Sequence, residues 1–203
     1  MKLARFFKTI VISFCLAACF AMAGLAMTGC GEKKPDKQEE IDNALNAAIT
    51  FLRNAKEGRN YSDVSKYSDG RVYKYYTESG KIKIEYNETT YAVIENGRIY
   101  KIYQTDDLTW HKNSNASDIG DPEVLLSNLI MKIGVLPWSE YDSKTKTLKC
   151  VLTDGSITAK LDAGVLIINL IEDTGATTAI TIKDVGSTTV TLPEDIVDDT
   201  IKE

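Results

Sequence analysis

The residue whose setting most constrains the chemistry of this chain is Cys30. Met27-Thr28-Gly29-Cys30 places a thiol directly after small residues, at the end of an uncharged run from residue 9 to residue 27, with Lys2, Arg5 and Lys8 ahead of it. A basic start, an apolar middle and a small-residue end are what an export signal with a processing site requires, and a cysteine at that point offers a sulfur for acylation. Cys15 and Cys19 lie inside the same run, so processing would leave Cys150 as the free thiol, with no intrachain disulfide. An exported domain without crosslinks must be held by its core. Cys150 alternates with Leu148 and Leu152, the setting of a buried small hydrophobe and not of a nucleophile.

Other groupings are weaker. His111 is the sole histidine and has no cysteine or histidine cluster with which to share a metal. Asn113, Asn115 and Asp118 bring oxygens close together before Gly120, but the calcium loop with its terminal glutamate is absent. Asp106, Asp107 and Glu140 could in principle supply a glycosidase pair, although acids this common are more often solvated turn residues. The chain contains no Gly-x-Ser-x-Gly elbow, no His-Glu-x-x-His helix and no phosphate-cradling loop. The expectation is a protein that is not an enzyme and has no catalytic residues, no metal and no cofactor. Asn-x-Ser/Thr triplets begin at Asn60, Asn87 and Asn115 and carry no weight beside a signal of bacterial type. The formal net charge is −5, and it becomes more negative once the basic signal is removed. That sign opposes nucleic acid as a partner and a polybasic grip on anionic lipid heads.

The segment ending at Cys30 resembles the lipobox of bacterial lipoproteins, in which the cysteine is lipidated through its sulfur and becomes the new N-terminus. Methionine at the first of the four positions departs from the usual pattern. The resemblance implies a signal peptide over residues 1–29 and lipidation at Cys30. Its two acyl chains would anchor stably, at about 0.8 kcal/mol per buried methylene. A retained membrane helix is the alternative, since the apolar run approaches the roughly 20 residues of a span. Against it stand the small residues at its end and the charged stretch from Glu32 to Glu40 that follows. Residues 30–40 read as a flexible tether. Gly31 is not the aspartate that resembles an inner-membrane retention signal. The expected location is therefore extracytoplasmic, on the outer face of the cell membrane or on the outer membrane.

Residues 41–203 are the size of one domain. Ile41, Ala44, Leu45, Ala48, Ile49 and Leu52 recur at helical spacing, and Gly58 is placed to end that helix in a left-handed conformation. From Val72 to Asn113 the period becomes two, as in Ile82, Ile84 and Tyr86 set against Lys81, Lys83 and Glu85. Asp69-Gly70, Ser79-Gly80 and Asn96-Gly97 punctuate the runs as hairpins, and residues 109–112 form a further strand. Asp121-Pro122-Glu123 opens a second helix, whose Val124, Leu125, Leu126, Leu129, Ile130 and Ile133 demand cover; Gly134 and Pro137 stop it. Strands are then expected at 147–153, 156–162, 164–171, 177–184 and 188–192, the stretch 165–171 apolar enough to be covered on both faces.

This order of parts, with the closing stretch Ile182-Lys183-Asp184-Val185-Gly186-Ser187-Thr188-Thr189-Val190-Thr191-Leu192-Pro193-Glu194, resembles LolA-like and LppX-like lipoprotein domains, which finish on a strand of this form. The resemblance implies an α+β, predominantly antiparallel fold: a strongly curved meander sheet, an open half-barrel, with helices covering its concave face. It implies that acyl chains of lipids or lipoproteins enter that hollow. Seating ten methylenes contributes roughly 8 kcal/mol against water and little against a membrane interior. The freely diffusing carriers of the family lack a lipid tether, so a tethered member looks like a receiver, local shuttle or sensor. Candidate ligand-contacting residues are Tyr75, Ile82, Ile84, Trp110, Leu126, Ile130, Ile133, Trp138, Leu166 and Ile168, although a packed core would use the same types. The early concentration of tyrosines could line a groove or express strand propensity; they fall on both parities and cannot all face one cavity. The expected function is non-catalytic binding of a lipid or acyl chain at a membrane. The alternative is a protein-interaction or sensory module with a filled core and an unidentified protein partner.

Cys30→Ser is expected to abolish palmitate labelling and to leave the signal segment uncleaved, read as a larger mass than that of the processed wild type. A wild-type protein that enters the detergent phase of a Triton X-114 partition without any label would mark the segment as an uncleaved membrane helix.

Overall fold

The computed structural model of the chain describes residues 36–202, apart from 115 and 117. The signal segment, Cys30 and the tether up to residue 35 lie outside the described residues, as does Asn115 of the oxygen cluster. Among the described residues no helix is long and apolar enough to cross a membrane.

The first helix, α1 (Lys37–Gly58), begins earlier than its apolar spacing predicts. Asp36 precedes it without a side-chain cap, and Glu39 and Glu40 sit in the first turn, where negative charge complements the free amide groups. The last part of the expected tether is therefore helix. One face buries Ile41, Ala48, Leu52 and Ala55. At the far end Arg59, not Gly58, takes the left-handed conformation (φ 46°), and its N–H donates to the Lys56 carbonyl. The second helix, α2 (Pro122–Val135), starts as its sequence dictates, with the Asp121 carboxylate accepting the Glu123 N–H at 2.8 Å. It ends at Leu136, held extended by the proline that follows. Trp138 folds back and donates its indole N–H to the Ile133 carbonyl at 2.9 Å. The Arg59 guanidinium meets the Glu123 carboxylate, joining the end of α1 to the start of α2.

Strands β1 (Asn60–Tyr67), β2 (Val72–Glu78), β3 (Lys81–Tyr86), β4 (Glu88–Glu95), β5 (Arg98–Gln104) and β6 (Trp110–Asn113) form a meander before α2. After it, β7 (Glu140–Asp142), β8 (Thr147–Leu152), β9 (Gly155–Asp162), β10 (Val165–Glu172) and β11 (Thr177–Lys183) form a second. Ser79-Gly80, Asn96-Gly97 and Ala163-Gly164 all have positive φ at both positions, the turn whose twist matches a hairpin. Gly155 has no substitute, because a Cβ there would lie 2.1 Å from the Ile171 carbonyl oxygen.

The strands make one open 12-stranded sheet in the order β12-β6-β5-β4-β3-β2-β1-β11-β10-β9-β8-β7, where β12 is Val197–Asp198. The two meanders join where β1 pairs antiparallel with β11, Asp63 opposite Ile182 and Ser65 opposite Ile180. All pairings are antiparallel except β12 with β6. The fold is thus the expected α+β class, a mostly antiparallel, curved sheet left open, with both helices on one face. Leu126 and Ile133 of α2 and Leu52 of α1 share a core with Leu148, Cys150, Leu166, Ile168 and Ile182 of the sheet. A smaller core gathers Ile82 and Ala92 beneath Ala116 and Ile119 of the segment before α2.

Several expectations are corrected. β1 and β7 had no place in the sequence reading. Residues 188–192 are not a strand, so of the stretch that carried the family resemblance Ile182 and Lys183 pair in the sheet, as the end of β11, and the rest leaves it. That remainder is a strap whose backbone is held by side chains. The Thr188 N–H donates to Asn60 Oδ1 at 2.7 Å and the Val190 N–H to Glu78 Oε2 at 2.9 Å, while Gly186 N–H reaches the Asn60 carbonyl. Strand β10 is covered on one face alone: Leu166 and Ile168 are buried, Val165 and Ile167 half-buried, and Ile171 exposed. Helix α2 also keeps an uncovered side, with Val124, Leu125, Met131 and Val135 exposed.

The strap buries Val190 to 1% exposure. Val190→Ala should destabilise the domain by about 2 kcal/mol, read as a lower urea midpoint at unchanged m-value.

Candidate functional site

Register decides which side chains share the helix-covered face, because directly opposed residues point the same way. One row across the sheet runs Leu161, Leu166, Ile182, Asp63, Tyr75 and Ile84. The next runs Leu148, Ala159, Ile168, Ile180, Ser65 and Tyr73. On the other side of Asp63 lie Tyr61, Thr77, Ile82 and Ala92. The opposite face is polar over the first meander, where Glu85 meets Lys74 at 2.9 Å and Lys83 at 2.7 Å.

The sequence-derived candidates separate into three groups. Leu126, Ile133, Trp138, Leu166 and Ile168 are buried in the larger core, with Ile130 packed against it. Ile82 is buried in the smaller one, with Tyr75 and Ile84 packed against it. Trp110 belongs to neither. It stands opposite Gln104, on the polar face, with its ring 5.6 Å from Tyr91 in an edge contact. There it lines a cleft of about 450 Å³ with Tyr91, Lys101, Tyr103 and the threonines of β4, where β4 and β5 part beyond the Tyr91–Ile102 pair.

Under the helices the face is filled by the protein's own side chains. There Leu166 is 0% exposed and Ile133 2%, and Ile82, beneath residues 116–119, is also 0% exposed. Away from the helices it opens: Ser65, Tyr67, Tyr73, Ile84, Leu170 and Ile180 are half-buried. Tyrosines dominate this end. Tyr73 stacks on Tyr86 at 3.9 Å and meets Tyr67 edge-on at 5.8 Å, while Tyr61 and Tyr75 stack at 6.4 Å. The Tyr75 hydroxyl donates to the Gly120 carbonyl at 3.0 Å and the Tyr61 hydroxyl to that of Pro122 at 3.4 Å. Both phenols thereby fasten the start of α2 to the sheet. Burial, with the carboxylates of Asp63 and Asp121 nearby, pushes both of their pKa values well up.

Asp63, which sequence reasoning passed over, is the charged member of its row. Solvent reaches part of the residue, yet protein crowds the carboxyl, and burial pushes its pKa up to about 6 despite a hydrogen bond from Ser65 Oγ at 3.3 Å. No lysine or arginine pairs with it among the described residues. The alternation Tyr61, Asp63, Ser65, Tyr67 would have revealed this face had β1 been recognised. Three other acids singled out in the sequence have neighbours of their own. Asp107 accepts bonds from Thr105 Oγ1 and Thr109 N–H in a turn, and Glu140 lies 3.6 Å from Lys149. The Asp118 carboxylate is taken by Lys101 at 2.8 Å. Cys150 is fully buried, its thiol pKa raised by burial, and so it is part of the core.

No family model matches the sequence, and no curated protein matches it. Among solved structures, the crystal structure of LprF from Mycobacterium bovis is similar to this chain over 74% of its length and 97% of that chain, with a TM-score of 0.38 and 12% sequence identity.

Asp63 holds its proton more tightly in the folded protein, at about 6, than at its ordinary 3.8. Ionisation therefore costs the fold. Stability is undiminished below pH 4, is lost as pH rises through 6, and carries the whole penalty above it. Asp63→Asn is expected to raise the melting temperature at pH 7.5, by at most about 3 kcal/mol of stability, and to leave it unchanged at pH 3.5. A variant melting lower at pH 7.5 would show that the carboxylate stabilises the fold.

Proposed function

We propose that this protein is a non-catalytic, extracytoplasmic binding protein, tethered to a membrane through lipidated Cys30, which receives an apolar ligand such as a lipid or acyl chain on the concave face of its sheet. The observation that carries this reading is the make-up of that face. Strands β8 to β11 present Leu148, Leu166, Ile168, Leu170, Ile180 and Ile182 to it, and the helices cover this surface at one end while leaving half-buried Leu170 and Ile180 at the other.

Because the covered part is filled, a long acyl chain would have to displace α2. That helix buries Leu126 (3% exposed) and Ile133 (2%) in the core, so moving it would cost this burial as well as its polar contacts. Its outer side is exposed and apolar, and two tyrosine hydroxyls hold its start to the sheet. Each neutral hydrogen bond contributes about 1 kcal/mol, less than burial of a few methylenes returns. Leu126, Ile130, Ile133 and Trp138 would then exchange contacts with Leu166 and Ile168 for contacts with the ligand, while Ile82 and Ile84 would line the neighbouring surface beneath residues 116–119.

The sealed core also favours a second reading, an interaction or sensory module whose core stays filled. Fluorescence titration with cis-parinaric acid separates the two. Saturable binding, strengthened several-fold in Tyr61→Phe/Tyr75→Phe, is the expected result, together with copurifying lipid in native mass spectrometry. Absence of both would leave the filled-core module.

A further inference from the structure

Beyond the Tyr91–Ile102 pair the sheet is interrupted in its interior and not at a margin. β4 stays paired with β3 as far as Glu88, and β5 with β6 as far as Gln104, but β4 and β5 no longer meet. The two-residue turn at Asn96-Gly97 makes Glu95 and Arg98 a pair that exchanges both backbone hydrogen bonds. Such pairs recur at every second position, so Val93 with Tyr100 and Tyr91 with Ile102 follow. Thr89 with Gln104 would be the next. That pair is not made, and the N–H and C=O groups of both residues point into the gap.

The side chains at this gap line the cleft of about 450 Å³, within the roughly 300–1,000 Å³ of small-ligand sites. Among the described residues, the Glu88 carboxylate and the hydroxyls of Thr89, Thr90, Tyr91 and Tyr103 have no hydrogen-bond or ion-pair partner. Gln104 donates its side-chain N–H to the Leu108 carbonyl at 3.0 Å, which leaves its own side-chain oxygen to accept. Trp110, half-buried, makes an aromatic wall with Tyr91. The cation of the cleft, Lys101, is held by Asp118 at 2.8 Å.

Hydroxyls that both donate and accept, set beside an indole, have the chemistry of a saccharide site. Sugar hydroxyls exchange hydrogen bonds with such groups in either sense, and the C–H face of a sugar ring is drawn to the negative face of an aromatic ring. An acyl chain here would leave the polar groups buried without partners. Glu88 repels anions, since the one lysine is already neutralised. An extended peptide is cut short, because the gap is closed at Tyr91–Ile102 and offers one unpaired residue on each wall. We propose that this cleft binds a neutral saccharide, with a sugar ring against Trp110 and its hydroxyls on Glu88, Thr89, Thr90 and the unpaired backbone of Thr89 and Gln104. The site goes beyond the apolar-ligand reading and does not rest on it, since Trp110 stands on the face away from the helices.

The test uses the full chain in nanodiscs prepared without glycoside detergents. Maltotriose, cellotriose, mannotriose, triacetylchitotriose and, for comparison, tetra-alanine are titrated by saturation-transfer NMR, with empty nanodiscs subtracted. At least one of the trisaccharides should bind saturably and at least tenfold tighter than tetra-alanine. Trp110→Ala should weaken that binding at least tenfold. Thr89→Val, which keeps the side-chain shape at an exposed position, should weaken it at least threefold, with circular dichroism melting showing both variants folded; should Trp110→Ala fail to fold, Thr89→Val decides alone. No saturable binding of any trisaccharide, or undiminished affinity in the folded variants, would overturn the proposal. Tetra-alanine binding as tightly as the sugars would also overturn it and place an extended peptide in the gap.

Discussion

The pairing of β1 with β11 is the contact on which the rest of the molecule depends. Each meander on its own is built from hairpins, local in sequence and joined by short turns. What turns them into one curved surface is a ladder between strands more than a hundred residues apart, with Ser62 facing Lys183 at one end and Tyr67 facing Thr178 at the other. That ladder places the aromatic half of the concave face beside the aliphatic half. It also sets the start of the strap, since Asn60 at the head of β1 takes two backbone amides from residues just beyond β11. Loss of this register would leave two partial sheets, each with one greasy side and too little to cover it.

The parts of the fold that were legible in the sequence are those whose periodicity reports burial. α2 was readable from Asp121-Pro122 and its apolar run, and the hairpins from glycine turns whose positive φ admits few other residues. β1 was not, because Asn60-Tyr61-Ser62-Asp63-Val64-Ser65-Lys66-Tyr67 contains almost no aliphatic side chain. Its place in the sheet comes from neighbours on both sides, not from its own residues. The closing stretch misled in the opposite sense. Val190, Thr191 and Leu192 have the composition of a strand, yet the amides of Thr188 and Val190 are satisfied by an asparagine and a glutamate side chain. Strand composition does not guarantee a neighbour to pair with.

The candidate site was legible in type and illegible in arrangement. Aliphatic residues at alternating positions announced a buried face, and that face exists. Parity within a single strand cannot say which side of the sheet is inner until register fixes it, which is why Trp110 reads as a wall of the hollow and stands on the other face. Nor does residue type say whether a greasy surface is occupied by its own helices. Asp63 was passed over for a related reason: an aspartate in a polar octapeptide looks solvated until the strands on either side bring Ile182 and Tyr75 against it.

Both ends of this long sheet are finished by stubs. One margin is β12, two residues long and parallel to its neighbour, and the other is β7, three residues long with an acid at each end. A margin so brief, and bearing charge, offers little backbone for a second sheet to extend. Between molecules at high local concentration, that brevity guards against stacking into continuous ribbons, and it does so while leaving the sheet open.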